Sequence, residues 1–421
     1  MYPLLTGLRI VECASFIAAP SCALHLRQLG AEVIRIDPIG GGPDFHRWPL
    51  SEGGHSYYWE GLNKGKKSIA IDLSRAEGRQ LVAELVTAPG ADGGILVTNF
   101  PKDGFLAHER LRALRPDLIT VRVTGWGNGD SGLDYTINAA LGIPLMTGGA
   151  DNGDRPVNHV LPAWDLLAGT YAAFVTLAAE RDRLRTGRGQ EVTVPLSDVA
   201  LAALGNMGQI AEVLAGGDRP RYGNALFGAF GRDFMTSDGE RVMVAAITRR
   251  QWTGLLSALQ IEAAVSQLEG ALGVSFEKDE GQRFVHREAL FPLVEQAIGA
   301  LPLGQLRTRF DDAGVCWSPY MTLSRALRED PRLSLASSMF SEIDHPSGHR
   351  YPAPGAAATL SGMERVAGVR APHLGEHTDA VLADVLSLSP SRIGELHDAG
   401  LVGSWPAPRG GSSRDGKATS T

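Results

Sequence analysis

The sequence predicts an α/β protein: a large domain built on a parallel sheet with helices on both faces, and a smaller α+β domain. Three observations carry this. Strand-like and helix-like patterns alternate from residue 1 to about 200, as they do where each parallel strand needs a crossover helix. A stretch rich in Gly, Pro and charge at 216–224 then interrupts the alternation, and a differently patterned segment follows at 225–330, with an apolar strand at 242–247 among amphipathic helices. The 421 residues also exceed what one core usually organises. The large domain is expected over 1–200 and again over 345–405, with 216–224 and 331–354 as linkers, 225–330 as the small domain, and the polar tail 406–421 disordered.

The elements follow in order. Gly7-Leu-Arg-Ile-Val-Glu12 reads as a strand, 20–29 as a helix stopped by Gly30, and 32–37 as a second strand, an opening βαβ unit. Asn63-Lys-Gly-Lys-Lys-Ser68 leads into a strand at 69–73, and Val97-Thr-Asn-Phe100 reads as a strand end. Near the C-terminus, helices at 378–387 and 391–399 return the chain to the first domain, after a linker-like Pro-rich stretch at 346–354. In an open parallel sheet, ligands collect beyond the carboxyl ends of the strands, here the loops 15–19, 37–42 and 99–102 and the approach to residue 165.

Composition narrows the function. Hydrophobic residues at 43% and charged residues at 21% are ordinary for a soluble globular chain. No apolar run approaches the ~20 residues of a membrane span, and the start lacks a basic region followed by a long apolar one, so a cytoplasmic enzyme without a membrane partner is expected. The net charge of −7 gives no electrostatic footprint for nucleic acid. Cys13, Cys22 and Cys316 are too few and scattered for a disulfide framework or a zinc site, and mostly buried thiols are expected. His345 and His349 are separated by Pro346, Ser347 and Gly348, which mark a turn, so no metal site is expected. The loop Ser15-Phe-Ile-Ala-Ala-Pro20 is not G-x-G-x-x-G, and no G-x-x-x-x-G-K-[ST] occurs, which counts against NAD, FAD and ATP.

One carboxylate is placed for chemistry. In Asn158-His-Val-Leu-Pro-Ala-Trp-Asp165, the Asp immediately precedes an Ala- and Leu-rich helix expected over 166–185, with basic last turns and Gly187 as its stop. On position alone, an Asp at a helix start is a cap. It is also an anion that the helix dipole favours, and an ordinary carboxyl with a pKa of about 3.9 is ionised at neutral pH, a nucleophile that needs no partner base.

The segment around Asp165 resembles the active-site signature of the class III CoA-transferases. Four further blocks match that family in order, from about residue 4 to 402: the opening βαβ unit, Asn63-Lys-Gly-Lys-Lys-Ser68, Val97-Thr-Asn-Phe100 and Ala371-Pro-His-Leu-Gly-Glu-His-Thr-Asp379. The resemblance implies the class III CoA-transferase fold, a Rossmann-like parallel sheet plus a smaller domain, in a homodimer of interlocked ring-like subunits. It implies Asp165 as the nucleophile that attacks an acyl-CoA thioester, with Ile17, Ala18, Pro38, Ile71, Asn99 and Phe100 lining the CoA channel and Tyr135 near the thioester. No cofactor is implied, since CoA belongs to the substrate.

Where family members carry an Arg in the nucleotide loop, this chain has Pro38; Lys64, Lys66, Lys67 and Arg75 are alternative phosphate donors unless they form a solvated face. Trp48 falls at a substrate-side Trp of the family. Blocks such as Pro38-Ile-Gly-Gly-Gly42, Asp134-Tyr-Thr136 and Gly228-Ala-Phe-Gly-Arg-Asp-Phe234 resemble members that move CoA between the two carboxyls of one molecule. The expected reaction is therefore C1-to-C4 transfer within mesaconyl-CoA, with intermolecular transfer to a second acid as the alternative. Arg47, Asn158, His159 and Arg232 are the candidate partners of the free carboxylate. α-Methylacyl-CoA racemases, a second activity on this fold, have a His just before the Asp that matches Asp134. Here Leu133 occupies that place.

Overall fold

The computed structural model describes residues 1–405; the disorder expected for 406–421 lies outside the described residues. The chain divides into two compact units. The first comprises Met1–Ile137, Leu161–Gly208 and the described part from Pro331 onward, the second Asn138–Val160 and Gln209–Asp330.

The first unit is built from β1 (Arg9–Cys13), α1 (Ala18–Gln28), β2 (Glu32–Pro38), α2 (Tyr57–Leu62), β3 (Lys67–Ile71), α3 (Ala76–Thr87), β4 (Ile95–Thr98), α4 (His108–Arg112), β5 (Ile119–Thr124) and the first residues, up to Ile137, of α5 (Asp134–Ala140). After the short α6 (Ile143–Met146) of the second unit come α7 (Ala163–Thr186), β6 (Glu191–Pro195) and α8 (Leu196–Asn206). Six strands run parallel in the order β3-β2-β1-β4-β5-β6, and the edge strand Val402–Gly403 pairs antiparallel with β3. Helices on both faces bury the central strands, which is why Ile10, Val11, Val33, Ile34, Ile69, Ile95, Leu96 and Val97 form nearly unbroken apolar runs. The chain winds outward from β1 in one direction and from β4 in the other. A crevice opens between these two strands at their carboxyl ends, the usual ligand site of such sheets.

The second unit carries an antiparallel sheet of β7 (Phe230–Met235), β8 (Arg241–Ala246) and β9 (Cys316–Pro319). Helices pack on it around Phe230, Phe234, Trp252, Phe276, Phe291 and Phe310.

Four boundaries differ from the sequence reading. Residues 138–160 go with the second unit rather than the first. Helix α7 starts at Ala163, three residues early, so Asp165 lies inside its first turn. Residues 346–354 are no linker: Phe340–Asp344 and Arg350–Pro354 form a hairpin whose turn holds Pro346 to Gly348. The stretch 216–224 is held down by Arg221, whose guanidinium donates to the carbonyls of Pro144, Thr147, Gly153 and Arg155.

Candidate active site

The crevice between β1 and β4 is closed by one side chain. Asn99, just past β4, accepts from the Ser15 backbone N–H (3.2 Å) and donates to the Ser15 carbonyl (2.9 Å), tying the two strand ends together. Ile17 and Ala18 open α1 beside this clasp, where the first turn of a helix presents backbone N–H groups without intrahelical partners. Pro38 ends β2, Ile71 ends β3, and Phe100 follows β4, so the topology brings all six expected channel residues to one edge of the sheet. Ile71 is wholly buried in the core between the strands that pair with it on either side, so neither its side chain nor its backbone is open to a ligand. A cavity of about 850 Å³ lies beyond β4 and β5, lined by Asn99, Phe100, Lys102, the glycine-rich turn 125–132 and Asp198.

Helix α7 sets the position of Asp165. Close packing against α1 rests on small residues, above all Gly169: a Cβ there would sit 2.1 Å from Ser21 Oγ and 2.7 Å from the Ala18 carbonyl. Asp165, one turn earlier, is thereby brought toward the start of α1. It is not the cap of α7. The N-cap position is Pro162, whose side chain makes no capping hydrogen bond, and the acceptor comes from elsewhere in the fold. Buried Asp134 accepts from the backbone N–H groups of Trp164 (2.6 Å) and Asp165 (3.1 Å) through one carboxylate oxygen.

This arrangement overturns the expected ionisation of Asp165. Burial and the neighbouring Asp134 carboxylate push its pKa up to about 7, against the opposing pull of Arg47. The favourable helix terminus is already taken up by Asp134, so desolvation and like charge prevail. At neutral pH Asp165 is a mixture of acid and carboxylate.

The Arg47 guanidinium lies 5.5 Å from the Phe16 ring centroid and 5.3 Å from that of Tyr58. The Tyr58 hydroxyl is buried with no hydrogen-bond partner among the described residues. Its pKa is raised by burial, then lowered by Arg47 and raised by Asp165, so it remains a proton donor. Trp48 is largely exposed, and Tyr135 sits exposed on α5. Asn158, His159 and Arg232 belong to the second unit. There Arg232 donates to the Asp233 carbonyl, pairs with Glu295 and packs over Phe234 and Phe291, on the wall of a cavity of about 420 Å³.

One member of the basic cluster departs from the expectation. Lys66 is fully buried, where its ammonium meets Glu12 (2.6 Å) and the Pro20 carbonyl (2.9 Å). Lys64 donates to the Gly61 carbonyl, Lys67 pairs with Glu32, and Arg75 donates to the Ala399 carbonyl. Of the four, Lys66 is excluded as a phosphate donor by burial alone. The sequence reading missed Asp44 and Tyr58, and it met Asp134 and Phe16 only within a matching block and a loop, without their roles here; only Pro162 at a helix start, which can offer no side-chain acceptor, signals that a cap must be borrowed.

Cys13 and Cys22 are buried and Cys316 exposed; burial pushes the Cys22 thiol up to about 12. No single helix among the described residues is long and apolar enough to cross a membrane.

Comparison with known proteins gives the family of the chain. The family model for CoA-transferase family III matches residues 5–378. The chain is 46% identical over 404 residues to 2-methylfumaryl-CoA isomerase of Chloroflexus aurantiacus, covering 96% of this chain and 98% of the relative. It is 31% identical over 408 residues to succinyl-CoA--D-citramalate CoA-transferase of the same organism, covering 93% and 96%. Among solved structures, a CAIB/BAIF family protein from Brucella suis superposes with a TM-score of 0.72 at 28% identity, over 91% of this chain and all of the other.

The chain belongs to CoA-transferase family III, and it is an enzyme.

Proposed function

We propose that this family III enzyme moves CoA between the two carboxyl groups of mesaconyl-CoA (2-methylfumaryl-CoA), through covalent intermediates on Asp165. The observation that carries the substrate is the 46% identity, over nearly the whole of both chains, to 2-methylfumaryl-CoA isomerase. The chemistry is supported by a carboxylate freed from capping and poised in basicity beside the start of α1.

The Asp165 carboxylate attacks the C1 thioester carbonyl; the C–S bond breaks, CoA thiolate leaves and a mixed anhydride forms. Thiolate then attacks the aspartyl carbonyl of that anhydride, releasing the substrate carboxylate and leaving an aspartyl-CoA thioester. The C4 carboxylate attacks the same aspartyl carbonyl, expelling thiolate again. Thiolate finally attacks the C4 carbonyl and regenerates Asp165. One thioester is exchanged for another, so the reaction calls for no ATP, metal or further cofactor. Ionised Asp165 with a raised pKa is a stronger nucleophile than an ordinary carboxylate, provided the pH keeps it ionised. Backbone N–H groups at the start of α1, near Ala18, suit the oxyanion, each contributing about 3 kcal/mol. Arg47 is the charge beside Asp165 suited to the free carboxylate.

A homodimer belongs to this reading. Leu166, Leu167, Tyr171 and Phe174 lie exposed on α7, more apolar surface than a solvent-facing helix usually shows.

The test is purified protein with mesaconyl-C1-CoA and no added acid. Mesaconyl-C4-CoA should form, and labelled free mesaconate should hardly enter it, because a carboxylate held beside Asp165 reaches effective molarities of about 10⁵ M or more. Rapid entry of label, or an absolute need for a second acid, points instead to intermolecular transfer.

A further inference from the structure

Outside the reacting groups, the first unit holds a buried charge cluster that the reaction does not use. Arg35 donates to Glu12 (2.9 Å), to Asp37 (2.8 Å) and to both oxygens of Asp44 (2.9 and 3.0 Å), all of them buried. Asp44 does two further things. Its Oδ2 accepts from the Phe16 backbone N–H at 3.3 Å, and its main-chain carbonyl accepts from the Arg47 backbone N–H at 3.2 Å.

Phe16 is one of three non-glycine residues with positive φ among the described residues, at 71°. Such a conformation is costly for an L residue and persists only where its surroundings fix it. Here the fixing group is Asp44, clamped by Arg35. The Phe16 ring is exposed and carries the Arg47 guanidinium on its face at 5.5 Å. The Asp44 side chain thus holds one half of a stacked pair that flanks Asp165, and its main-chain carbonyl holds the other.

We propose that Asp44 is a positioning residue: by holding Phe16 in its left-handed conformation and Arg47 in the adjoining turn, it sets the Arg47 guanidinium against the Asp165 carboxyl. The inference rests on Asp165 as the nucleophile of the proposed reaction. Its consequence is electrostatic. The charged and titratable groups that face Asp165 are Arg47 from the loop before α2, Tyr58 from α2 and Asp134 from the start of α5, and Arg47 alone favours the ionised form. If the Phe16 face is lost, Arg47 gains freedom and Asp165 becomes harder to ionise.

Phe16→Gly separates positioning from folding, because glycine adopts a φ of 71° without strain and removes only the ring. The wild type is assayed first with mesaconyl-C1-CoA, alongside Asp165→Asn. An inactive wild type, or an active Asp165→Asn, overturns the proposed function itself. Given an active wild type, the positioning role predicts that Phe16→Gly keeps its melting temperature and loses about tenfold in kcat/KM. The acid limb of its pH profile moves to higher pH, and Phe16→Tyr, which keeps an aromatic face, restores both. Asp44→Asn should shift the limb in the same direction if it folds; if burial of Arg35 prevents folding, Phe16→Gly decides alone. A raised KM in Phe16→Gly with an unmoved acid limb overturns the proposal, for the ring would then merely touch substrate. Unchanged kinetics would overturn it as well.

Discussion

Replacing Asp165 by Asn should abolish activity and at the same time stabilise the protein, by an amount that depends on pH. The carboxyl has a folded-state pKa of about 7 against an ordinary value of 3.8, so between those values the folded protein binds more protons than the unfolded chain. Ionising Asp165 in the folded state therefore costs stability as pH rises through this window. The cost is absent below about pH 4 and complete above about pH 7. A shift of this size corresponds to an upper limit of about 4 kcal/mol, and screening by solvent at a site that is only partly buried brings the expectation to about 2 kcal/mol. Asparagine carries no charge to desolvate and no repulsion against Asp134. With an unfolding entropy of about 2.1 cal/mol/K per residue, 421 residues turn about 2 kcal/mol into a melting-temperature gain of about 2 °C. Melting curves of both proteins at pH 5, 6.5 and 8 should show the gain growing from the first to the last. A gain that does not vary with pH, or an Asn variant that melts earlier at pH 8, would refute the electrostatic account, and turnover above a few per cent would remove Asp165 as nucleophile.

The same groups make further predictions. The kcat/KM of the wild type should rise with pH through about 7 as Asp165 ionises, and Asp134→Asn, which keeps a capping oxygen but no charge, should move that limb to lower pH; a limb that stays put would show that Asp134 does not repel the nucleophile. Gly169→Ala should destabilise by about 1–3 kcal/mol in denaturant titration and depress kcat, since its Cβ meets the Ala18 carbonyl at 2.7 Å; helix propensity alone would stabilise by up to about 1 kcal/mol, so a raised midpoint would show that α1 and α7 can part. Light scattering at micromolar concentration should give twice the 44.8 kDa chain mass, and Tyr171→Glu with Phe174→Glu on the exposed face of α7 should disrupt that assembly; a monomeric wild type would end the dimer proposal.

The parts of this fold legible in the sequence are those whose cause is local. The run 9–13, the helix stopped by Gly30 and the run 32–38 are visible because burial on both faces makes parallel strands continuously apolar, and because a glycine with φ of 109° is an unambiguous stop. The hairpin around Pro346 was hidden by its own composition, since Pro346, Pro352 and Pro354 read as a linker and only the pairing of Ser341 with Ala353 and Ile343 with Tyr351 reveals strands. Lys66 was misjudged for a related reason. A lysine run looks solvated, and nothing within it reports that Glu12, a strand away, waits in the core for an ammonium.

The environment of the candidate site was not legible in the sequence. Asp165 could be selected from the order of blocks around it, but its ionisation depends on Asp134, whose contact spans 31 residues. Two carboxylates meet at the start of α7, and only one can serve as its cap. Asp134 takes the N–H groups and leaves Asp165 with burial and repulsion, a local conflict that folding alone would not favour. For the proposed nucleophile role that conflict is an advantage: held near pKa 7, Asp165 would be basic enough to attack a thioester and ionised often enough to do so at neutral pH.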